Sequence, residues 1–332
     1  MGVQHLNSLL RAHCPDGIKR ITLGDLSGKK IAIDTSIYMY RFLEQGSLIE
    51  NMFVMVNMLL KYNIIPVFVF DGKAPLEKKE LLRARKEVKD NAEKEYKKLN
   101  KLLNSTTLNE DAKQDIISNM DNLRSKFTRL QVNDIDKVKG LLTAMGILWL
   151  DAEGEADGLC AKLVIKKLVY ACLSEDMDMF IYGCPIVLRH ISLVYESVIM
   201  YDLSKIINAL ALTTKELQEI CVASGTDYNY NANRKTNVHL TLKLFKRYKK
   251  SDYSKDFYSW LDENTEYIDN ICQLYNNLAM FDLSNIKFPT YINYKNKNSI
   301  KLVQKDEIIL KNVLEEDGFF FPKKKLIQIN TD

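Results

Sequence analysis

Leu168-Val169-Tyr170-Ala171-Cys172-Leu173 runs directly into Ser174-Glu175-Asp176-Met177-Asp178. A short apolar run of this kind, rich in β-branched and aromatic residues, reads as a buried strand of a parallel sheet. Three other stretches have the same form. Ile31-Ala32-Ile33 ends in Asp34, and Val67-Phe68-Val69-Phe70 ends in Asp71. Ile147-Leu148-Trp149-Leu150 ends in Asp151-Ala-Glu153-Gly-Glu155-Ala-Asp157. In an open α/β sheet the ligand sits beyond the carboxyl ends of the strands. The pattern therefore predicts several carboxylates converging at one sheet edge. Carboxylates packed that closely repel unless a positive charge lies between them. Oxygen donors alone favour a hard ion such as Mg²⁺ or Mn²⁺.

The bulk numbers set limits. The chain has 332 residues, 46% hydrophobic and 27% charged, which suits a soluble globule of one large or two smaller domains. A net charge of +4 does not by itself call for a nucleic-acid partner, so clustering of the charge has to. The six cysteines form no CxxC pair and mostly sit in apolar stretches, as expected of reduced core residues in an intracellular protein, nuclear or cytoplasmic. Four histidines without metal-type spacing argue against zinc. No stretch approaches 18 apolar residues, so no membrane span is expected. MGVQHLNSLL has neither the layout of a signal peptide nor, with Leu6, the myristoylation pattern. The richness in Lys, Asn and Ile fits an AT-rich genome, viral or microbial.

Along the chain, residues 1–71 read as helix, strand, helix, strand. Residues 72–139 hold no Gly between Gly72 and Gly140, no Pro after Pro75, and many charges. They read as two polar helices joined near Asn104-Ser-Thr-Thr, a partly mobile insertion projecting from the body. Residues 140–228 resume the α/β pattern, with a hairpin from Pro185-Ile-Val-Leu and Ser197-Val-Ile-Met-Tyr. Residues 229–285 read as helical, and 286–332 as an irregular tail with a strand at Ile308-Ile309-Leu310.

The candidate metal ligands are Asp34, Asp71, Glu155, Asp157, Asp176, Asp178 and Asp227, the last in Ser-Gly-Thr-Asp-Tyr. One acidic residue after a strand is ordinarily a helix cap or a loop solubiliser. The set is different, because Glu155/Asp157 and Asp176/Asp178 are spaced i, i+2, which puts each extended pair on one face. Glu153 and Glu175 have the opposite phase and read as bystanders; Asp151 reads as capping a turn. Seven carboxylates exceed what one Mg²⁺ takes, and two ions suit phosphodiester hydrolysis. A basic run follows Asp71: Lys73, Lys78, Lys79, Arg83, Arg85, Lys86, Lys89. It reads either as a solvated, salt-bridged helix or as cations within reach of a scissile phosphate. Arg234-Lys235 with Lys243, Lys246, Arg247, Lys249 and Lys250 reads either as a solvated face or as a clamp on duplex phosphates.

These strings resemble, in order, the motifs of the flap endonuclease / XPG (Rad2-like) family of structure-specific 5′ nucleases. They are the opening Met-Gly-Val-Gln-His-Leu, Ile33-Asp34-Thr-Ser-Ile-Tyr-Met-Tyr40, Phe70-Asp71-Gly72-Lys73-Ala74-Pro75 and Asp151-Ala-Glu-Gly-Glu155-Ala-Asp157. Ser174-Glu-Asp-Met-Asp178 with Gly183-Cys-Pro185 and Arg189-His190 follows, then Ser224-Gly-Thr-Asp-Tyr228. The resemblance implies a PIN-like α/β fold, a mostly parallel twisted sheet flanked by helices, with a helical arch over the active site and a helical DNA-binding region. It implies the seven acids as ligands of two Mg²⁺ ions, for which Mn²⁺ substitutes. It also implies Lys78 and Arg85 as the active-site basic pair, and Tyr40 as an aromatic stacking on a base near the scissile phosphate. The implied reaction is cleavage of DNA near single/double-strand junctions, at 5′ flaps or nicks, in replication, repair or recombination. A 5′→3′ exonuclease, an RNA-directed nuclease and a non-catalytic branched-DNA scaffold are the alternatives. A dehalogenase-type phosphatase is set aside because Ser36 stands where it needs a second Asp.

The chain departs from the family in places. Asp157 stands where cellular flap endonucleases carry Glu. Asn229-Tyr-Asn-Ala-Asn-Arg-Lys-Thr-Asn237 replaces a Gly-rich hairpin. The insertion between Arg85 and Phe127 is longer than in cellular members. The tail Gly318-Phe-Phe-Phe321-Pro-Lys-Lys-Lys lacks the spacing used to dock on a sliding clamp, so no clamp-docking motif is recognisable. The chain is expected to act as a monomer. Phe319–Phe321 reads as filling a core edge or docking another partner.

Overall fold

The computed structural model describes residues 2–105, 110–229, 236–290 and 300–321. Helix α1 (Leu6–His13) precedes strands β1 (Ile18–Thr22) and β2 (Lys30–Asp34). Helices α2 (Thr35–Glu44) and α3 (Leu48–Lys61) lead to β3 (Ile65–Phe70). Next come α4 (Lys79–Ser105), α5 (Glu110–Phe127), α6 (Val132–Ala144), β4 (Leu148–Asp151), α7 (Ala156–Ile165) and β5 (Ala171–Leu173). The hairpin of β6 (Ile186–Ser192) and β7 (Ser197–Asp202) follows. The chain then continues through α8 (Leu203–Leu210), α9 (Thr214–Ser224), α10 (Val238–Tyr248), α11 (Phe257–Asn264), α12 (Ile271–Ala279) and α13 (Glu307–Glu316).

The seven strands lie in the order β1-β7-β6-β5-β2-β3-β4. From β6 to β4 every neighbour is parallel, while β7 and β1 add an antiparallel margin. Both faces of the sheet are covered, which is why its strands read as unbroken apolar runs. Side chains alternate between the two cores. Ala32, Val67 and Val69 join α1, α7 and α9 on one face. Ile31, Ile33, Phe68 and Phe70 join α2, α3 and α6 on the other. From β2 the chain steps outward through β3 to β4, then returns to place β5 on the opposite side of β2. That reversal opens a crevice between the carboxyl ends of β2 and β5, where a ligand site is favoured.

Several expectations are corrected. The sequence pattern predicts one helix between β2 and β3, but Gly46, at φ +76°, lets the chain turn between α2 and α3. The edge strand β1 is not expected from the pattern, because Ile18-Lys-Arg-Ile-Thr22 forms no apolar run and none of its residues is fully buried. The change of composition at Gly140 falls inside α6 rather than at an element boundary. Ile308-Ile309-Leu310 is helical, not a strand: Asp306 accepts from the Ile308 and Ile309 amides at 3.1 and 3.0 Å and caps α13. The two polar helices α4 and α5 are present, packed through Tyr96 and Phe127 and tied by Arg129 to Asp90 at 2.6 Å. Phe319 packs edge-on against Phe53, while Phe320 is exposed. Among the described residues no helix is long and apolar enough to cross a membrane.

Candidate active site

The crevice collects the acids that the sequence singled out. Asp34 ends β2 and receives the Ser174 hydroxyl, donated across the β2–β5 gap at 3.0 Å. Ser174 Oγ in turn accepts from the Asp176 amide at 3.1 Å. Asp176 then caps the 3-10 turn Met177–Phe180, taking the Asp178 amide at 2.9 Å. Asp71, just past β3, accepts from the Ala156 amide at 2.8 Å, which ties it to the start of α7, where Glu155 and Asp157 sit. Gly72 makes that approach feasible. Its amide donates to Gly154 O at 2.6 Å, and a Cβ there would collide with the Ala152 and Glu153 carbonyls. Asp227 opens the 3-10 turn after α9.

Electrostatics link these groups into one cluster. Burial, and then the Asp71 charge, raise the Asp34 carboxyl from 3.8 to about 7. Burial raises Asp157 well above the usual carboxylate range, helped by Asp34, Asp176 and Asp71. Asp176 is raised by burial, and Asp178 by burial followed by repulsion from Asp176 and Asp227. Buried mutual repulsion of this kind is relieved by a cation.

Two cations of the basic run reach in. Lys78, at the end of the 3-10 turn that leads into α4, is buried, with Nζ 2.7 Å from Glu155 and 4.0 Å from Asp227. Burial works against its charge, but Glu155, Asp157 and Asp227 outweigh that and hold its pKa above normal. Arg85, one helical stretch later, pairs with Asp227 at 2.9 Å. Tyr40 on α2 stands 38% exposed near Asp71, with the Lys89 ammonium 4.9 Å from its ring centre. Arg83 pairs with Glu87 on the exposed side of α4, so part of the run is a solvated helix face.

The bystanders fall outside the cluster. Asp151 pairs with Lys139 at 2.7 Å, and Glu153 faces solvent near Lys287. Glu175 turns away to His190, Arg41 and Arg189. Lys243, Lys246 and Arg247 are exposed along α10, away from the buried Leu242, Leu244 and Phe245, whereas Lys249 is held by Glu216 at 2.7 Å. Arg234 and Lys235 lie outside the described residues.

Sequence reasoning missed several contributors. The Val3 amide donates to Asp178 Oδ1 at 3.1 Å, and Gly2, at φ +77°, packs so closely on Asp176 and Asp178 that a Cβ would overlap both carboxylates. Tyr228 donates to Glu155 Oε2 at 2.8 Å, and its hydroxyl meets Tyr182 at 3.1 Å. Phe281 packs edge-on against both tyrosine rings. Gly2, Val3, Ser174 and Tyr228 stand within the strings already quoted, but Tyr182 carried no local signal.

Among the described residues no three of these side chains already surround one point at ligand distance. The donor set nevertheless fits a hard divalent cation. It consists of oxygen alone, Asp34, Asp157, Asp176 and Asp178 are raised by burial and then by neighbouring carboxylates, and Asp157 Oδ1 is buried without a hydrogen-bond partner.

Residues 1–92 match the XPG N-terminal domain and residues 146–227 the XPG I-region. The flap endonuclease 1 of Encephalitozoon cuniculi is 32% identical over 245 residues, 69% of this chain and 68% of that protein. The chain belongs to the XPG/Rad2/flap endonuclease family of structure-specific 5′ nucleases. Members of this family are phosphodiester hydrolases. The Methanococcus aeolicus flap endonuclease 1 is 29% identical, spanning 99% of this chain and 94% of that protein. The match to its Zea mays counterpart, 33% identical, spans 62% of that protein. These relatives come from cellular organisms and give no support to a viral source. The catalytic core of Rad2, solved with a DNA substrate, shares the fold at a TM-score of 0.62 and 21% identity, covering 94% of this chain and 93% of its own. Human GEN1, solved with Holliday junction DNA, does so at 0.62 and 20%, covering 95% of this chain and 73% of its own.

Proposed function

We propose that this member of the XPG/Rad2/flap endonuclease family is a divalent-metal-dependent endonuclease that cuts DNA at or near the junction of single and double strands. The observation that carries the reading is the convergence of Asp34, Asp71, Glu155, Asp157, Asp176, Asp178 and Asp227 at the β2–β5 crevice, with Lys78 and Arg85 reaching into it. The seven carboxylates would hold two Mg²⁺ ions, or Mn²⁺ in their place. Bound there, such ions supply Lewis acidity to a phosphoryl oxygen and lower the pKa of water.

The chain's own residues do the rest. Lys78 and Arg85 exchange Glu155 and Asp227 for the scissile phosphate and stabilise the charge that develops on it. Tyr228, steadied by Tyr182, holds Glu155 in place while Lys78 moves. Tyr40 offers a ring face on which the adjoining base stacks. Lys243, Lys246 and Arg247 on α10 bind duplex phosphates, with Arg234 and Lys235 beside them in sequence. Residues 1–71 and 140–228 form the nuclease body, 72–139 the arch, 229–285 the duplex-binding region and 286–332 the tail.

The test is product mapping on 5′-end-labelled duplexes carrying a flap, a nick or a blunt end, with an RNA version of each. A single product at the flap junction supports the reading. A ladder of short products from nicked or blunt ends supports a 5′→3′ exonuclease, and preferential cutting of RNA supports an RNA-directed enzyme. Tight binding without cleavage supports a scaffold.

A further inference from the structure

A cleft of about 490 Å³ opens at the amino ends of β2, β5 and β6, on the sheet edge opposite the acidic crevice. Strand β2 joins the two edges. Lys30 starts it beside the cleft, and Asp34 ends it at the carboxylate cluster, about 13 Å away for an extended strand of this length. The chain turns after α7 with Lys167 in the left-handed region, at φ +58°. The Tyr170 amide then donates to Lys30 O at 2.7 Å, which sets Tyr170 against the start of β2. The buried Leu168 and Val169 make the cleft apolar, and Ile165 and Tyr170 leave 38% of their surface open beside them. Lys29, Lys30 and Lys167 line it as well, and none of the lining residues is acidic.

We propose that this cleft docks an acidic segment of a partner protein, one that carries an aliphatic or aromatic anchor among its carboxylates. The proposal goes beyond the nuclease reading and stands without it. Charge is the first argument. A lysine after a helix ordinarily offsets the negative carboxyl end of that helix, which accounts for Lys167 after α7. It does not account for Lys29 and Lys30, which come from the start of β2 and converge on the same cleft. Lys29 Nζ lies 5.1 Å from the centre of the Tyr170 ring, so a cation and an apolar face are offered side by side. An apolar anchor seated against Ile165 and Tyr170 would leave its flanking carboxylates next to the lysines.

Nucleic acid fits the cleft less well. A base edge needs both donors and acceptors, and an unpaired one costs free energy when it is buried. Apart from the Tyr170 hydroxyl, which meets Met200 Sδ at 3.9 Å, the lining side chains offer only ammonium groups and hydrocarbon. The position also separates the two ligands. A partner held at the amino ends of the strands leaves the crevice at their carboxyl ends open, so the chain can hold partner and DNA together.

The experiment is fluorescence anisotropy of the full chain with fluorescein-labelled peptides in which Asp and Glu alternate with Leu, Ile or Phe. Matched peptides carry Ser in place of the apolar residues. Wild type should prefer the anchored peptides, with an affinity that falls as salt rises. Lys29→Gln/Lys167→Gly, where glycine suits the left-handed backbone, should bind them roughly tenfold more weakly, as loss of two exposed ion pairs implies. Lys29→Arg/Lys167→Arg should keep the affinity, and Ile165→Ser should erase the preference for anchored peptides. Lys243→Ala/Lys246→Ala/Arg247→Ala should bind the peptides as wild type does, and so should wild type saturated with flap DNA in the absence of divalent metal. Cleavage by Lys29→Gln/Lys167→Gly should match wild type, which reports that the variant is folded. No peptide binding by wild type, or an equal loss in the cleft and α10 variants, overturns the proposal. Displacement of the peptide by oligothymidine from DNA-saturated protein also overturns it, and marks the cleft as a nucleic-acid surface. Absence of cleavage by wild type counts against the nuclease reading alone.

Discussion

Lys78 Nζ lies 2.7 Å from Glu155 Oε1, a cation buried among the acids that a metal site would use. The pair occupies the cluster and gives Lys78 a resting place when no phosphate is present. Lys78→Ala should slow single-turnover cleavage by about 100-fold, the usual cost of losing a donor aimed at developing charge. DNA affinity should change little, and apparent Mg²⁺ affinity should not weaken, since a positive charge has been removed. A loss of DNA binding equal to the loss of rate would contradict this.

Asp176 and Asp178 repel each other in a buried setting and are held by amides that an Asn oxygen can also engage. Asp176→Asn/Asp178→Asn should abolish turnover and, without metal, stabilise the fold. Relief of about 1 kcal/mol would raise Tm by roughly 2–4 °C. Scanning calorimetry with a chelator present checks this; a lower Tm would argue that the carboxylates are not in mutual repulsion.

Asp34 gives a pH dependence. Its folded-state carboxyl is raised from 3.8 to about 7, so between those values the native state binds more protons than the unfolded chain. Its contribution is fully present below 3.8 and is lost as pH rises toward 7. The metal-free protein should therefore lose stability across that window, and Asp34→Asn should flatten the loss. Mg²⁺ should restore stability most strongly at the upper end, where the carboxylates are ionised. Denaturant titrations across the window, with and without Mg²⁺, measure it.

Lys243, Lys246 and Arg247 share an exposed face of α10. Changing all three to Ala should weaken duplex binding and reduce the slope of log K against log salt by about 0.9 for each phosphate that is no longer neutralised. Cleavage at saturating DNA should be unchanged. An unaltered slope would mark this side of α10 as ordinary solvated surface.

Legibility in the sequence follows from how locally each feature is encoded. The parallel strands are readable because burial on both faces leaves uninterrupted runs such as Val67-Phe68-Val69-Phe70. The ligand candidates are readable because such runs end in acids at the sheet edge. Strand β1 is not, because an edge strand half in solvent carries Lys19 and Arg20 and owes its pairing to β7, far along the chain. Ile308-Ile309-Leu310 misleads because its composition favours a strand while Asp306, just before it, starts a helix. Gly2 and Val3 lie in the quoted opening string and Tyr182 outside the quoted strings, but the approach of Gly2 and Val3 to Asp176 and Asp178, and of Tyr182 to Tyr228, joins distant parts of the chain and is recorded by no local pattern. Phosphate-binding cations and solvated ones look alike on α4, and only position separates Lys78 from Arg83.

The most direct test is the Mg²⁺ dependence of cleavage on a 5′-end-labelled flap duplex, for wild type beside Asp176→Ala/Asp178→Ala. The expected result is no product without divalent metal, a single product at or near the junction as Mg²⁺ is added, and none from the double variant at any Mg²⁺ concentration. Retained turnover by the double variant, or metal-independent cleavage by wild type, would contradict it.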